Sequence, residues 1–243
     1  MSKKIINQNT NHNLELLNSI ESNFIFNENP INRLNNTTGN LNKESDVSGT
    51  DKKKELNELK LQINSITDCD LKDNSKNIVL GDGNINSLIM LVGEAPGMEE
   101  DTTGQTFLGD VGDLLKKMLN AINIKKENIY STYAVNFRPP EDRKPTPKEI
   151  KRYSQFLQKQ ISIIKPKLII LMGSTAMESL TGLNNKISIE RGKWKEVIVQ
   201  NTTFDVIITF NPSYLLRVPE NKKHSWEDLK KIKQKIVDLK LNI

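Results

Sequence analysis

Ile89-Met90-Leu91-Val92-Gly93-Glu94-Ala95-Pro96-Gly97 is the stretch whose reading decides the fold. Four apolar residues make a run of strand length, and the run stops at a turn holding two glycines and a proline. Short apolar runs punctuated this way are buried strands. Glutamates and an aspartate follow, and then a second turn, Gly104-Gln105-Thr106-Phe107-Leu108-Gly109, brackets one phenylalanine. Ligands of open α/β sheets sit at the carboxyl ends of such strands. A pocket is therefore expected where this strand ends.

Outward from it, strands and helices alternate. Strands are expected at Leu88 to Val92, Ile129 to Phe137, Lys167 to Met172, Glu196 to Val199 and Val206 to Phe210. Val111 to Ile122 has Leu114, Leu115, Met118, Leu119 and Ile122 at helical spacing. Arg138-Pro139-Pro140 through Pro145-Thr146-Pro147 is a proline-broken loop. Thr146-Pro147-Lys148-Glu149 then starts a helix to about Ile164, with a capping threonine, proline at its first position and an acid just inside. Gly173-Ser174-Thr175 reads as a turn before a short helix, Ala176 to Leu180. Ser225 to Leu239 closes the chain as an amphipathic helix with Trp226, Leu229, Ile232, Ile236 and Leu239 inward. This order predicts an α/β fold: three layers, α/β/α, around a mostly parallel central sheet. Three of its strand ends carry polar turns, Gly93 to Gly97, Tyr133 to Arg138 and Asn211 to Ser213, which converge if the strands are neighbours.

Before this domain, residues 1 to 50 are polar and roughly a quarter asparagine, a composition that buries too little to fold alone. They are expected to be a disordered or loosely docked tail, with Asn13 to Ile20 as a short docked or transient helix. The folded domain is expected over 51–243, opening on a charged helix with Leu56, Leu59, Ile63 and Ile66 on one face. The net charge of +5 and pI near 9.1 favour a polyanionic partner. No apolar run reaches membrane-spanning length, and no apolar core follows the first lysines, so a cytoplasmic protein is expected. A Gly-x-Ser-x-Gly elbow is missing, and His12 and His224 lie in polar contexts, so no motif supports another small-substrate hydrolase.

Gly93-Glu94-Ala95-Pro96-Gly97, then Glu100-Asp101, Gly104, Phe107, Gly109 and Leu114-Leu115, resembles the first motif of the uracil-DNA glycosylase superfamily. Its family 4, the iron–sulfur type, is the nearest branch. Arg138-Pro139-Pro140 and Asn211-Pro212-Ser213-Tyr214-Leu215-Leu216-Arg217 fall where that family has its later segments. The resemblance spans about residues 66 to 240 and keeps motif order. It implies a monomeric repair enzyme that hydrolyses the N-glycosidic bond of uracil, or of another deaminated base, in DNA. The alternative is a weak or inactive glycosylase-fold module that binds damaged or single-stranded DNA.

Such an enzyme flips the base out, stacks it on an aromatic ring and stabilises the departing base anion with fixed donors. The resemblance implies that Gly93, Ala95, Phe107 and Tyr133 form the base pocket, with Phe107 as the stacking ring; from the residues alone the favoured reading of Phe107 is a loop side chain plugging the core, and the motif reverses that preference. Glu94 and Asn211 are the implied catalytic residues. Glu94 would act near the water or the developing sugar cation, or else cap its own turn. Asn211 stands where family 4 has histidine. Its amide can donate to the base carbonyl, and asparagine before proline also favours an Asx turn. Tyr133 aligns with an asparagine that reads the uracil edge, and it can instead be a buried aromatic that narrows the pocket. Asn136, three residues along, belongs to the opposite strand face. DNA contacts are implied for Ser213, Leu215, Arg217 and Arg138, with Leu215 as the wedge that fills the vacated base position. One cysteine, Cys69, cannot hold the family's 4Fe-4S cluster, so no metal or cofactor is expected. Phe137 and Tyr153 fall near the other ligand positions and predict a packed apolar plug there.

Overall fold

The structure, a computed structural model, describes residues 49–241. The tail and its helix at Asn13 to Ile20 lie outside the described residues. Helices are α1 (Gly49–Asn64), α2 (Asp70–Asp73), α3 (Met98–Thr103), α4 (Gly109–Asn120), α5 (Pro147–Ile164), α6 (Ser174–Thr181), α7 (Ile187–Glu190), α8 (Pro212–Arg217) and α9 (Lys222–Asp238). Strands are β1 (Asp82–Gly83), β2 (Ile89–Gly93), β3 (Tyr130–Tyr133), β4 (Leu168–Met172), β5 (Trp194–Val199) and β6 (Thr202–Thr209). Among the described residues no helix is long and apolar enough to cross a membrane.

The strands form one sheet in the order β1-β3-β2-β4-β6-β5. Its four inner strands are parallel, and the two edge strands are antiparallel. β2 and β4 are apolar at almost every position because both faces of the sheet are covered. Met90, Val92, Ile169 and Leu171 point to one side, into a core with Leu59 and Ile63 of α1 and Tyr153, Leu157 and Ile161 of α5. Ile89, Leu91, Leu168 and Ile170 point to the other, against Leu115 and Leu119 of α4 and Leu229 and Ile232 of α9. The three-layer expectation holds, and α1 buries Leu56, Leu59 and Ile63 as its spacing requires.

α5 begins and ends where its signals place it. Thr146 Oγ1 accepts from the Glu149 amide at 3.3 Å, and a Glu149 carboxylate oxygen accepts from the Thr146 amide at 2.7 Å. Other boundaries differ for physical reasons. Regular β3 stops at Tyr133, although the Ala134 and Val135 amides still donate to the Gly93 and Glu94 carbonyls. β6 starts earlier than expected because it forms a hairpin with β5. Gln200 and Asn201 both take positive φ (46° and 64°), the combination that matches strand twist in two-residue hairpin loops. The sequence order offered no sign that these two strands pair antiparallel. α6 starts at Ser174, directly after Gly173, so the expected turn is its first residues.

Trp226 and Leu239 are corrections: they are 43% and 40% exposed rather than inward. The inner stripe of α9 is Ser225, Asp228, Leu229 and Ile232. It is rotated toward Arg191, whose guanidinium pairs with the fully buried Asp228 through both carboxylate oxygens, the Nε bond being 3.0 Å. Thr209 Oγ1 donates to the same carboxylate at 2.8 Å, and Arg191 also donates to the His224 carbonyl. Burial pulls the Asp228 carboxyl up from its ordinary range, against Thr209 and Arg191, which pull it down. A charged pair therefore fixes which face of α9 meets the sheet, over the apolar Trp226.

Candidate active site

The carboxyl ends of β2, β3, β4 and β6 open onto one cavity of about 920 Å³. Glu94, Ala95, Phe107, Tyr133, Asn211, Ser213 and Arg217 all line it, so the three turns expected to converge do so. A fourth turn lies between them. Gly173 and Ser174 line the cavity because β4 sits between β2 and β6. Only strand order reveals this, and strand order is not written in the sequence.

The fourth turn organises both implied catalytic residues. Glu94 is half-buried, and its Oε2 accepts a hydrogen bond from Thr175 Oγ1 at 2.7 Å. Thr175 is fully buried at the start of α6, so this bond orients the carboxylate. Glu94 does not cap its own turn. That task falls to Glu100, 7% exposed, which accepts from the Gly97 amide at 3.1 Å and the Leu108 amide at 2.9 Å. On the other side, Gly173 takes φ +101°, and a Cβ there would lie 3.3 Å from the Asn211 Cβ. The turn thus presses against Asn211 while holding Glu94.

The two ends of the Asn211 amide are used differently. Its Oδ1 accepts from the Ser213 amide at 3.1 Å and caps α8. That bond settles which way the amide points. Nδ2 has no protein partner among the described residues and belongs to a side chain lining the cavity. It is a free, oriented donor.

Phe107 lies at φ +51°, a left-handed conformation uncommon for an aromatic residue. Its ring centroid is 5.0 Å from that of Tyr133, tilted by 39°. The Tyr133 hydroxyl accepts from the Phe107 amide at 2.8 Å and donates to Glu100 Oε1 at 3.4 Å. Burial, then the nearby Glu100 charge, push the Tyr133 hydroxyl well above its ordinary pKa, so it stays protonated. Tyr133 is therefore a strut against the Phe107 ring, its hydroxyl already committed. Asn136 does not replace it: its amide donates to the Val79 carbonyl at 3.0 Å, away from the cavity. Gly93 is the floor beneath both rings. A Cβ there would lie 2.7 Å from Tyr133 Cδ1 and 2.8 Å from Phe107 Cζ. Gly93→Ala is expected to cost about 1–3 kcal/mol through overpacking and to raise KM as the ring tilts. Urea melts and steady-state kinetics check this; unchanged values of both would exclude the close-packed floor.

The implied DNA contacts divide. Ser213 and Arg217 stand at the cavity wall. Arg138 does not line it, and its guanidinium is held by Asp142 in a two-point pair at 2.7 and 2.9 Å. Leu215 is a correction: it is 1% exposed and packed in the core beneath α8, so it cannot serve as a wedge without unpacking. The exposed apolar residue of that helix is Leu216, at 39%. Helical spacing decides between them, since one residue is a turn of about 100°. Lys144, a basic residue of the proline loop suited to phosphate, donates to Ser174 Oγ at 2.8 Å on the cavity wall, and Lys186, which sequence reading missed, stands on the same wall.

The residues at the implied cluster position do not fit an iron–sulfur centre. Cys69 Sγ lies 3.4 Å from the Tyr153 hydroxyl, and the Phe137 ring packs edge-on to Tyr153 at 6.3 Å. All three are buried in one apolar cluster, and the chain holds no second thiol. The expected plug is what the structure contains.

Comparison with known proteins bears on this geometry. The family profile described as Uracil DNA glycosylase superfamily matches residues 80–230, which hold every strand-end turn described above. The chain is 38% identical over 180 residues to the Type-4 uracil-DNA glycosylase of Thermotoga maritima, covering 71% of this chain and 90% of that protein. It is 35% identical over 181 residues to the Type-4 uracil-DNA glycosylase of Archaeoglobus fulgidus, covering 73% and 91%. The corresponding protein of Pyrobaculum aerophilum is 31% identical over 179 residues, covering 72% and 91%. With its sheet, its motif order and its strand-end cavity all in agreement with that match, the chain belongs to the uracil DNA glycosylase superfamily.

Proposed function

We propose that this chain is a DNA repair enzyme that hydrolyses the N-glycosidic bond of uracil, or of another deaminated base, in DNA. The observation that carries it is the meeting of three groups at one cavity: the Phe107 ring, the free Asn211 Nδ2 and the oriented Glu94 carboxylate. A flipped base stacks against Phe107. As the bond to the sugar breaks, negative charge gathers on the base carbonyls and positive charge on the sugar. Asn211 Nδ2 donates to a carbonyl that gains charge, a fixed donor needing no reorganisation. Glu94 lines the cavity with one carboxylate oxygen kept on Thr175, and its other oxygen is left to hold the attacking water or to face the sugar cation. Arg217, Ser213 and Lys186 at the wall suit phosphate contacts. No step passes through a metal cluster, because Cys69, Phe137 and Tyr153 leave no site for one. A monomer acting in the cytoplasm completes this reading.

A second reading is favoured by one observation. Neither Tyr133 nor Asn136 offers a free amide to the cavity, so two-point reading of the uracil edge is lost, as in a module that binds DNA without turnover. One experiment separates them. Purified protein is incubated with single- and double-stranded oligonucleotides carrying uracil, hypoxanthine or xanthine, and abasic sites are cleaved with alkali. Strand cleavage supports the enzyme; salt-dependent binding without cleavage of any substrate selects the module.

A further inference from the structure

We infer that Asp82 and Lys126, outside the cavity, are positioning residues that hold the Phe107 ring in its left-handed turn. The inference rests on the proposed function for its kinetic consequence, but its structural basis stands apart. Phe107 at φ +51° is a costly conformation, kept only where the surroundings over-determine it. Four separate groups bond to three consecutive residues here. Asp82, on edge strand β1, accepts from the Thr106 amide at 2.6 Å and from the Thr106 hydroxyl at 2.7 Å. Lys126, in a single 3-10 turn (Lys126–Asn128), donates to the Thr106 carbonyl at 2.7 Å and the Phe107 carbonyl at 3.2 Å. Tyr133 takes the Phe107 amide, and Glu100 takes the Leu108 amide.

The two charged residues grip the turn from opposite ends of its peptide dipoles. The Asp82 carboxylate takes a donor of Thr106, and the Lys126 ammonium takes the acceptors that follow. Charged partners make such bonds stronger than neutral ones. Thr106 is fully buried, so water cannot replace the carboxylate on its hydroxyl. Neither Asp82 nor Lys126 lines the cavity, so neither touches a bound base. Both act through Phe107: they decide where its ring stands before DNA arrives. β1 has only two residues, and its pairing of Asp82 with Ser131 places this carboxylate. A short edge strand is thereby given a task in the site.

The test uses the full chain with Asp82→Ala, Lys126→Met and the milder Asp82→Asn and Thr106→Val. Amide hydrogen exchange of the segment spanning 104–109 is expected to accelerate about 10-fold or more in Asp82→Ala and Lys126→Met, with the core strands unchanged. On a uracil oligonucleotide, kcat/KM is expected to fall about 10- to 100-fold, chiefly through misplacement of the ring. Each loss should vanish when made in a Phe107→Ala background, since residues acting through one side chain are not additive. Unchanged exchange in segment 104–109 overturns the inference, as does a loss that persists in full on Phe107→Ala. If the wild-type protein turns over no substrate, the proposed function fails while the exchange measurement still decides the clamp. Should Asp82→Ala fail to fold, Asp82→Asn and Thr106→Val carry the same comparison.

Discussion

Changing Asn211 to aspartate is expected to lower kcat for base release about 10²- to 10³-fold while leaving the fold intact. Aspartate keeps the oxygen that caps α8 by accepting from Ser213, so the turn survives. It loses Nδ2, the donor left free at the cavity, and puts a negative charge where the base anion forms. Asn211→Ala separates the two effects, since it removes the donor without adding charge, at a cost of about 1 kcal/mol for the lost cap. Single-turnover kinetics on a uracil oligonucleotide, with thermal melts of both variants, give the answer. Near-normal turnover by both would rule out Asn211 as the stabilising donor. Then the burden would fall on Glu94.

Asp228→Ala carries the largest expected loss of stability, about 3–5 kcal/mol. It strands the Arg191 guanidinium, with 16% side-chain exposure, and leaves Thr209 Oγ1 without its acceptor. Replacing both partners by apolar residues of similar size, as in Arg191→Met with Asp228→Leu, is expected to restore most of that loss, because a buried pair is costly to break rather than costly to lack. Urea denaturation of the two single variants and the double variant checks this; additive losses would show that the pair is not one unit. Arg191 also lies 5.6 Å above the Phe210 ring, next to Asn211. The single variants should therefore loosen the turn that carries Asn211.

Much of the fold was legible because its signals are local. The Thr146-Pro147-Glu149 cap, the apolar runs of β2 and β4, and the stripes of α1 and α4 each follow from neighbours within a few residues. The hairpin of β5 and β6 was missed because its turn uses Gln200 and Asn201 in place of glycine. Trp226 was placed inward because hydrophobicity was the only guide, whereas the buried Arg191–Asp228 pair, 37 residues apart, set the rotation of α9.

The sequence by itself determined that this chain is an α/β glycosylase-like protein, that Gly93 to Gly109 is its central motif, and that it has one cysteine where a four-thiolate cluster needs four. Those conclusions rest on residue type and order. Only the tertiary structure decided what each group touches. It brought Thr175 to Glu94 across 81 residues and Asp82 to Thr106 across 24. It also buried Leu215 and left Leu216 exposed. It showed that Tyr133 braces the Phe107 turn, since its hydroxyl is spent on the Phe107 amide and Glu100. A side chain's partners depend on strand order and on helix rotation, and both are settled by packing at a distance.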